Sequence, residues 1–406
     1  MTPQARGPQA AAGAAPLRIP AAIWALGFVS LLMDISSELI HSLLPVFLVT
    51  DLGASALAVG MIEGLAEATA LIVKVFSGAL SDRWGRRKPL ALLGYGLGAL
   101  SKPFFALAPG AGWVLAARLT DRVGKGLRGA PRDALVADIA APAIRGAAFG
   151  LRQALDTVGA FLGPLLALGL MLLWRDDMRA VFRVAVIPGL LAVALLWFGV
   201  HEPPDARPRR TVRPIQADNL RRLPRRYWWV VAVGAIFTLA RFSEAFLVLR
   251  ARQGGLGLAL TPLVLIGMNL VYAACAYPFG RLSDRVAHGT LLSWGLAALI
   301  GADLLLAQSA RPAWVWAGIA LWGLHMGITQ GLLATMVAEA APADLRGTAF
   351  GFFNLASGVA LLAASALAGL LWDTAGPAAT FSAGAALAAL ALLALLRRRA
   401  ETARRS

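Results

Sequence analysis

Cysteine and charge are both scarce in this chain of 406 residues, which contains a single cysteine, Cys275. One cysteine excludes an internal disulfide framework and any metal site built from a cysteine cluster. Charged residues make up 15% of the chain, whereas soluble proteins average about 25%. Hydrophobic residues make up 58%, so polar side chains are too few to cover soluble domains of this total length. The composition therefore indicates a membrane protein.

Long apolar segments recur along the whole chain, and each is near or above the ~20 residues that a helix needs to cross a bilayer. Polar interruptions within them are compatible with membrane spans if they face the interior of a helix bundle. The sequence therefore predicts an all-α membrane protein with twelve transmembrane helices. The segments are 22–50, 56–80, 89–109, 112–138, 147–173, 179–200, 228–250, 257–280, 289–308, 313–338, 348–372 and 376–396.

The net charge of +16 would suggest nucleic-acid binding in a soluble chain. Here most of it falls in three polar segments, with +3 in 82–88, +5 in 202–226 and +4 in 397–406. An even number of helices separates these segments, so they lie on one side of the membrane. By the positive-inside rule both termini and the linker are cytoplasmic. The basic surplus is thus mainly an orientation signal, and no nucleic-acid partner is predicted.

The two halves of the chain repeat each other. The hexapeptide from Gly78 returns at Gly280 as Gly-x-Leu-Ser-Asp-Arg, and residues 141–150 return at 341–351, with offsets of 202 and 201 residues. Two halves of the same topology are the plan of parallel repeats in secondary transporters. The predicted organisation is a disordered amino terminus at 1–20, six-helix bundles at 21–201 and 227–396, a basic linker at 202–226 and a basic tail at 397–406.

The loop after the second segment carries a specific motif. It matches every specified position of G-x-x-x-D-R-x-G-R-R, through Gly78, Asp82, Arg83, Gly85, Arg86 and Arg87. This is the cytoplasmic signature of the major facilitator superfamily (MFS), which the chain resembles over about 22–396. The resemblance implies two pseudo-symmetric six-helix bundles, alternating access and a conformational latch at this loop. Without the resemblance, the loop is interpreted as a basic segment that only determines the orientation of the chain in the membrane.

The second copy of the loop motif departs from the family pattern. Gly280, Asp284 and Arg285 repeat its first part, but Ala287 replaces the second glycine and no basic pair follows. The three matching residues are predicted to form a second part of the latch.

Small residues recur in the fifth segment as Gly150, Gly159, Gly163 and Pro164. This spacing resembles a motif typical of proton-coupled drug antiporters, although Ala167 and Leu168 replace its terminal glycine pair. Small residues also let helices pack closely in lipid. Both roles, helix packing and a link to export, remain open from the sequence.

Ionisable side chains in the first two segments form the first group of candidate site residues. Such groups are costly at bilayer depth and usually functional. Asp34, Glu38 and His41 are spaced i, i+4, i+7 and share one helical face, as do Glu63 and Glu67 in the second segment. Asp34 lies roughly 18 Å along its helix, close to the bilayer centre. We expect Asp34 to bind and release protons.

The fourth segment carries a charged stripe. Its members, Arg118, Asp121, Arg122, Lys125, Arg128 and Arg132, fall within about 120° of arc on a helix. Such a stripe must line a cavity, pair with carboxylates, or do both. Five cations against one acid favour an anionic substrate or a proton-labile network of ion pairs. Resemblance to the MFS fourth-helix motif R-x-x-Q-G implies proton coupling at Arg122, with Lys125 in place of glutamine.

Three further charged residues complete the candidate substrate- and proton-binding set. Asp156 follows Arg152 by four residues in the fifth segment, so the two share a helical face. Arg241 and Glu244 correspond through the repeat to Asp34 and Glu38, and their spacing of three allows them to pair.

These features predict a secondary active transporter, most simply a proton-coupled exporter of a small amphipathic or anionic organic compound. The alternatives are a proton-coupled importer of an organic acid or other metabolite and, in another class, a membrane enzyme or sensor on a transporter-like scaffold. No G-x-x-x-x-G-K-[ST] loop or nucleophile–base arrangement stands out, so no ATP, cofactor, metal or catalysis is predicted. The expected setting is a bacterial inner membrane, with a monomer that handles a small solute and protons within lipid.

Overall fold

The computed structural model describes residues 19–84, 86–141, 144–202, 217–283, 285–308, 311–342 and 345–405. These residues form fifteen α-helices and one short 3-10 turn, and they contain no β-strand. The prediction of an all-α fold is confirmed.

Seven helices form the first half of the chain, and one short helix follows in the linker. Pro45 lies in the first turn of the second helix, where its missing N–H is not needed. The helices are α1 (Ala21–His41), α2 (Leu44–Thr50), α3 (Ala56–Trp84), α4 (Arg87–Ala106), α5 (Ala111–Ile139), α6 (Arg145–Leu173) and α7 (Met178–Gly199), followed by α8 (Ala217–Arg221).

The second half repeats this arrangement after the linker. Its helices are α9 (Arg225–Ala240), α10 (Ala245–Gln253), α11 (Leu263–Ser283), α12 (His288–Gln308), α13 (Pro312–Ala340), α14 (Arg346–Ala375) and α15 (Pro377–Arg405), with a 3-10 turn at Leu258–Leu260 before α11.

The first and seventh predicted spans are interrupted helices, which the sequence analysis had treated as continuous. α1 and α2 are separated by Ser42 and Leu43, and α9 and α10 by residues 241–244. With each interrupted pair counted once, the described residues form twelve long helical units. Ten are long and apolar enough to cross a membrane, and α4 and α5 are not among those ten. Both contain buried charged residues, which lower their mean hydropathy without facing lipid.

Helix packing follows the sequence repeat. In the first half α1 packs on α6, α3 and α4 pack on α5, and α4 also packs on α7. The corresponding contacts in the second half join α9 to α14, α11 and α12 to α13, and α12 to α15. Each pair has its counterpart, so the two halves are copies of one six-span bundle, as predicted. Large apolar side chains such as Phe198 and Tyr277 are more than 70% exposed, as expected of a surface that faces lipid.

The two halves meet along α3 and α14. An added Cβ at Gly369 would lie 2.5 Å from the carbonyl oxygen of Ala56, so only glycine permits this close approach. The carboxylate of Asp373 accepts hydrogen bonds from the backbone nitrogens of Ala56 (2.9 Å) and Leu57 (2.8 Å). Asp373 on α14 therefore caps the start of α3 and joins the halves at one end, hereafter the Asp373 end. The opposite end, where α3 leads to α4 beside Arg86, is called the basic end.

Candidate functional site

A central cavity of about 420 Å³ lies between the two halves. Its walls come from α1, α3, α5 and α6 in the first half and from the α9–α10 break, α11, α13 and α14 in the second. Eight of the twelve predicted substrate- or proton-binding residues line it. The charged or titratable lining residues are Glu38, His41, Glu63, Glu67, Arg122, Lys125, Arg241 and Glu244; Ser243, Asn269 and Gln330 are polar, and Ala160, Phe242, Leu265 and Leu361 are apolar.

At the wall of the cavity, α1, α3 and α5 are joined by a buried ion pair and a neighbouring histidine. The Arg118 guanidinium donates to Glu63 Oε2 at 2.7 Å, and its Nη2 lies 2.6 Å from His41 Nδ1. Arg118 and Glu63 are each 1% exposed. Because buried charges are stable only when paired, these three residues hold the helices in fixed register at the cavity edge.

Arg122 connects the cavity to the bundle interior. Its Nη1 lies 3.3 Å from Glu67 Oε1, and its Nε lies 3.8 Å from Asp121 Oδ2. The Arg122 side chain is 4% exposed and that of Glu67 is 36% exposed, so the pair is reached from the cavity on the Glu67 side. An anionic solute in the cavity would compete with Glu67 for this guanidinium.

Lys102 on α4 is a member of the network that the sequence analysis missed. Its Nζ donates to Asp121 Oδ1 at 2.7 Å and to Ser37 Oγ at 3.1 Å, and it is 1% exposed. The signal was present, because a lysine inside an apolar segment needs a partner. Asp121 is thereby held behind the cavity rather than in its wall.

A separate ionic cluster lies further along α5 toward the basic end. Asp156 Oδ1 lies 3.5 Å from Arg132 Nη1 and 3.5 Å from Arg152 Nη1. Arg152 also approaches Asp133, at 3.7 Å. The i, i+4 pairing expected within the fifth segment is therefore present, but Asp156 is outside the lining of the cavity.

Two of the predicted packing glycines position the carboxylates of α1. An added Cβ at Gly159 would lie 2.5 Å from the Leu31 carbonyl oxygen and 3.1 Å from Asp34 Cβ. One at Gly163, just before the buried Pro164, would lie 2.5 Å from Glu38 Cβ. α6 therefore packs directly against the helical face that carries Asp34 and Glu38.

Gly150 does not share this role, because an added Cβ there would meet no atom within 4 Å. It lies in the first turns of α6, near the basic end and away from the contact with α1. Its predicted packing role is therefore wrong in this conformation.

Arg241 and Glu244 reach the cavity from a break in the helix rather than from one helical face. Arg241 follows the last residue of α9, and Glu244 precedes the first residue of α10. The two residues therefore do not belong to one continuous helix, and the ion pair between them stays a prediction. Interrupted helices that line a central site are common in transporters, because backbone groups at the break become available there.

The first loop motif lies at the basic end, and the structure describes most of its residues. Arg87 Nε donates to Asp138 Oδ2 at 2.5 Å, and its backbone N–H donates to Glu202. An added Cβ at Gly78 would lie 3.4 Å from Ala130 Cβ, so α3 and α5 are in contact there.

The remaining residues of the predicted latch are exposed, or they are not among the residues that the structure describes. Arg83, Arg86 and Arg285 are exposed, and an added Cβ at Gly280 would meet open space. The predictions for Gly85, Asp284 and the side chain of Asp82 fall outside the described residues.

A counterpart of the Arg87–Asp138 pair lies at the same place in the second half. His288 Nδ1 lies 3.7 Å from Glu339 Oε2, and both residues are 201 positions after Arg87 and Asp138 (288 − 87 and 339 − 138). Arg226 also approaches Glu339, at 3.5 Å. No arginine or lysine follows Arg285 directly in the second motif, so the sequence pattern gives no indication of this histidine–glutamate pair.

Among the residues that the structure describes, no group of three His, Cys, Asp or Glu side chains is suited to a metal ion. The site chemistry is therefore that of ion pairs and hydrogen bonds around a polar cavity.

Comparisons with known proteins agree with this architecture. The family model described as "Major Facilitator Superfamily" matches residues 26–365. An uncharacterized MFS-type transporter of Methanocaldococcus jannaschii is 32% identical over 381 residues, covering 92% of this chain and 94% of the relative. The multidrug resistance protein MdtH of Cronobacter sakazakii is 27% identical, covering 88% and 86% of the two chains. The crystal structure of a POT family transporter in complex with 5-aminolevulinic acid has a TM-score of 0.77 at 12% identity, covering 93% and 96%.

Proposed function

The chain belongs to the Major Facilitator Superfamily, and from this premise we propose that it exports a small anionic or amphipathic organic compound in exchange for protons. It is a multi-pass membrane protein and an MFS transporter. The proposal concerns its substrate class, its coupling ion and its direction.

The observation that carries the proposal is the polar cavity of about 420 Å³ between the halves. Arg122, Lys125 and Arg241 bring positive charge to it from both halves, beside the carboxylates of Glu38, Glu63, Glu67 and Glu244. A cavity between two similar bundles suits alternating access, in which the bundles rock about a central site. The halves are joined at the Asp373 end, so in this conformation a solute would exchange with the basic end.

Within this mechanism the ionic groups have different roles. Arg122 binds the anionic group of the solute by displacing Glu67, and Lys125 and Arg241 add positive charge around it. Asp34 and Glu38 are proposed to carry protons, since α6 holds both carboxylates at membrane depth through Gly159 and Gly163. Asp34 lies on the helix that contributes Glu38 and His41 to the cavity lining, so its protonation would remove a negative charge next to the cavity and change the affinity for an anion.

Export is favoured over import by two observations. The relative from Cronobacter sakazakii is named a multidrug resistance protein, and the glycine spacing in α6 resembles an antiporter motif. We further propose a monomer in a bacterial inner membrane with both termini in the cytoplasm. The net positive charge of 82–88, 202–226 and 397–406 supports that orientation.

The test is transport by the purified protein in liposomes, with parallel panels of anionic, zwitterionic and cationic organic compounds. We expect an imposed pH gradient to drive anions toward the side of lower pH, because protons leave that side in exchange. We expect cations to be transported weakly. Transport that does not respond to the pH gradient would refute proton coupling. Accumulation of anions on the side of higher pH, in the same direction as the protons, would replace the proposal with the proton-coupled importer of an organic acid.

Variants test the site itself. Arg122→Ala should lower transport of the anion at least tenfold by removing the guanidinium that binds it, and Asp34→Asn should reduce the response to the pH gradient. Arg183→Ala is the matched control, because Arg183 is 68% exposed at the surface outside the cavity. Unchanged transport in both Arg122→Ala and Asp34→Asn would eliminate this site.

A further inference from the structure

The second half contains a buried carboxyl group for which no described residue provides a hydrogen bond. Asp303 on α12 is 0% exposed, and neither Oδ1 nor Oδ2 has a partner. The indole nitrogen of Trp322 on α13 is likewise buried without a partner. Polar groups in protein interiors are nearly always paired, so an unpaired acid at this depth calls for a functional explanation.

Asp303 lies at the edge of an aromatic compartment, next to Phe242. An added Cβ at Gly384 on α15 would lie 2.6 Å from Asp303 Oδ2 and 3.0 Å from Phe242 Cε1, so the carboxyl group and this ring border the same small space. Phe242 also lines the central cavity. The compartment is formed by five rings whose neighbouring centroids are 5.3 to 6.2 Å apart, namely Phe242, Phe246, Trp322, Trp372 and Phe381.

The ionisable groups on the helices that pack against α12 are engaged elsewhere. On α13, His325 Nδ1 lies 2.8 Å from the carbonyl oxygen of Gly295, two turns from Asp303, and Glu339 pairs with His288 at the basic end. On α15 the sequence has no ionisable residue between 377 and 396.

Four charged groups belong to the α9–α10 break and to α10, and of these Arg252 donates to the carbonyl oxygen of Leu256. Arg241 and Glu244 line the cavity beside Phe242. Arg250 Nε donates to the carbonyl oxygen of Leu306 at 2.8 Å, one turn from Asp303. Among the described residues, none of these four groups forms an ion pair with Asp303. An unpaired buried carboxylate would cost several kcal/mol, so the neutral acid is the form that fits this compartment.

We propose that Asp303 is a proton-carrying residue of the second half. It holds its proton behind Phe242 in this conformation and releases it to water when the movement of the halves opens the compartment to the cavity. The proton comes from water and returns to water, and no other bond changes. The inference rests on the proposed proton coupling and adds a third carboxyl group to that role, in the half of the chain that does not contain Asp34 and Glu38.

The protonation state can be measured without a substrate, by infrared spectroscopy of the full-length protein in lipid at neutral pH. We expect a carbonyl stretching band from protonated carboxyl groups. In Asp303→Asn this band should disappear, or its intensity should fall by the contribution of one carboxyl group. The control is Asp177→Asn, an exposed acid on the surface, which should leave the band unchanged. An identical band in wild type and Asp303→Asn would show that Asp303 is ionised and would overturn the proposal.

Asparagine has the shape of a neutral aspartic acid, so Asp303→Asn should fold with little change in its thermal midpoint. Gly384→Ala provides a second variant, since the added methyl group would displace the carboxyl group. Its band should shift in frequency rather than disappear. An unshifted band in Gly384→Ala would contradict the placement of the protonated group beside Gly384.

Coupling to conformation is tested by spin labels at the basic end, on Trp84→Cys and Arg225→Cys in a Cys275→Ser background. Acid and alkaline pH should give different distance distributions, and Asp303→Asn should reduce that difference at least twofold. An unreduced difference in Asp303→Asn, or none in wild type, would refute the role. Full pH-driven transport by Asp303→Asn would overturn this inference alone, whereas wild-type transport insensitive to pH would overturn the proposed function.

Discussion

Two pairs of buried charges join neighbouring helices in the first half. Lys102 on α4 meets Asp121 on α5 at 2.7 Å, and Arg118 on α5 meets Glu63 on α3 at 2.7 Å. A pair of this kind contributes specificity more than stability, because desolvation offsets most of the attraction. Removing one member, however, leaves an unpaired buried charge, which is strongly destabilising.

The Lys102–Asp121 pair gives a direct test at this scale. Lys102→Met should lower the free energy of unfolding by about 3 kcal/mol because it leaves Asp121 with the more distant Arg122 as its ionic contact. Thermal unfolding in detergent measures the loss. The double variant Lys102→Met/Asp121→Asn should recover most of it, and a double variant as unstable as the single one would contradict the pairing.

Sequence reasoning located the charged residues of the first half but not their partners. The stripe on α5 follows from helical periodicity alone, and eight of the predicted residues do line one cavity. The identity of each pair depends on which face of α4 packs against α5, which one sequence does not determine. Lys102 was therefore overlooked, and the cations of the stripe were thought less compensated than they are.

At the scale of elements, Gly163 should be far less tolerant of substitution than Gly169 on the same helix. An added Cβ at Gly163 would lie 2.5 Å from Glu38 Cβ, whereas one at Gly169 would meet no atom within 4 Å. Gly163→Ala should destabilise by about 1–3 kcal/mol through overpacking, and Gly169→Ala should stabilise slightly through helix propensity. Thermal unfolding of both variants checks this, and equal midpoints would contradict the contact.

The cap that Asp373 provides to α3 is expected to hold the halves together. Asp373→Ala should cost about 1 kcal/mol and shift the equilibrium away from closure at this end about fivefold. Spin labels at Asp51 and Gln253, both at this end, measure the shift in a Cys275→Ser background.

The control for this cap lies within the first half. Asp177 caps α7 by accepting from the backbone nitrogen of Ala180 at 2.9 Å. Asp177→Ala should cost a similar stability without moving the label distances. An equal shift in both variants would show that Asp373 acts only as a local helix cap.

Helix existence was predictable, and helix continuity was not. The length and hydropathy of the segments indicated the spans, since a helix must satisfy its own backbone groups in lipid. The break before Pro45 has a local cause. The break between Arg241 and Glu244 contains no proline or glycine, so its cause lies in tertiary packing around the cavity.

At the scale of the whole molecule, the repeat places a side-chain ion pair at the same position in each half. The two pairs differ in burial, and we therefore expect them to differ in strength. The Arg87 side chain is 8% exposed beside Asp138, whereas His288 and Glu339 are 24% and 45% exposed. Arg87→Ala should therefore cost about 2 kcal/mol, the loss of a hydrogen bond between charged groups. His288→Ala should cost less than about 1 kcal/mol, as for surface pairs. Equal losses in thermal unfolding would contradict this asymmetry.

The overall architecture was the most predictable level. An offset of about 201 residues between matching motifs indicated two equivalent bundles, and the helix contacts of the halves correspond in that way. Which end is joined could not be predicted, since the two copies of the repeat do not encode the contact between α3 and α14. In the sequence Asp373 is a lone charge at the end of an apolar segment, and nothing in the pattern indicates the helix that it caps.

The compensated charges of the cavity have a consequence for its empty state. With Glu67 beside Arg122 and Glu63 bonded to Arg118, the protein carries its own counterions. Binding of an anion is then a displacement reaction, whose free energy is the difference between two competing anions rather than the strength of one contact. Such a site gives up affinity for reversibility: when the cargo leaves, the Glu67 carboxylate takes its place, and the Arg122 guanidinium is not left without a counterion.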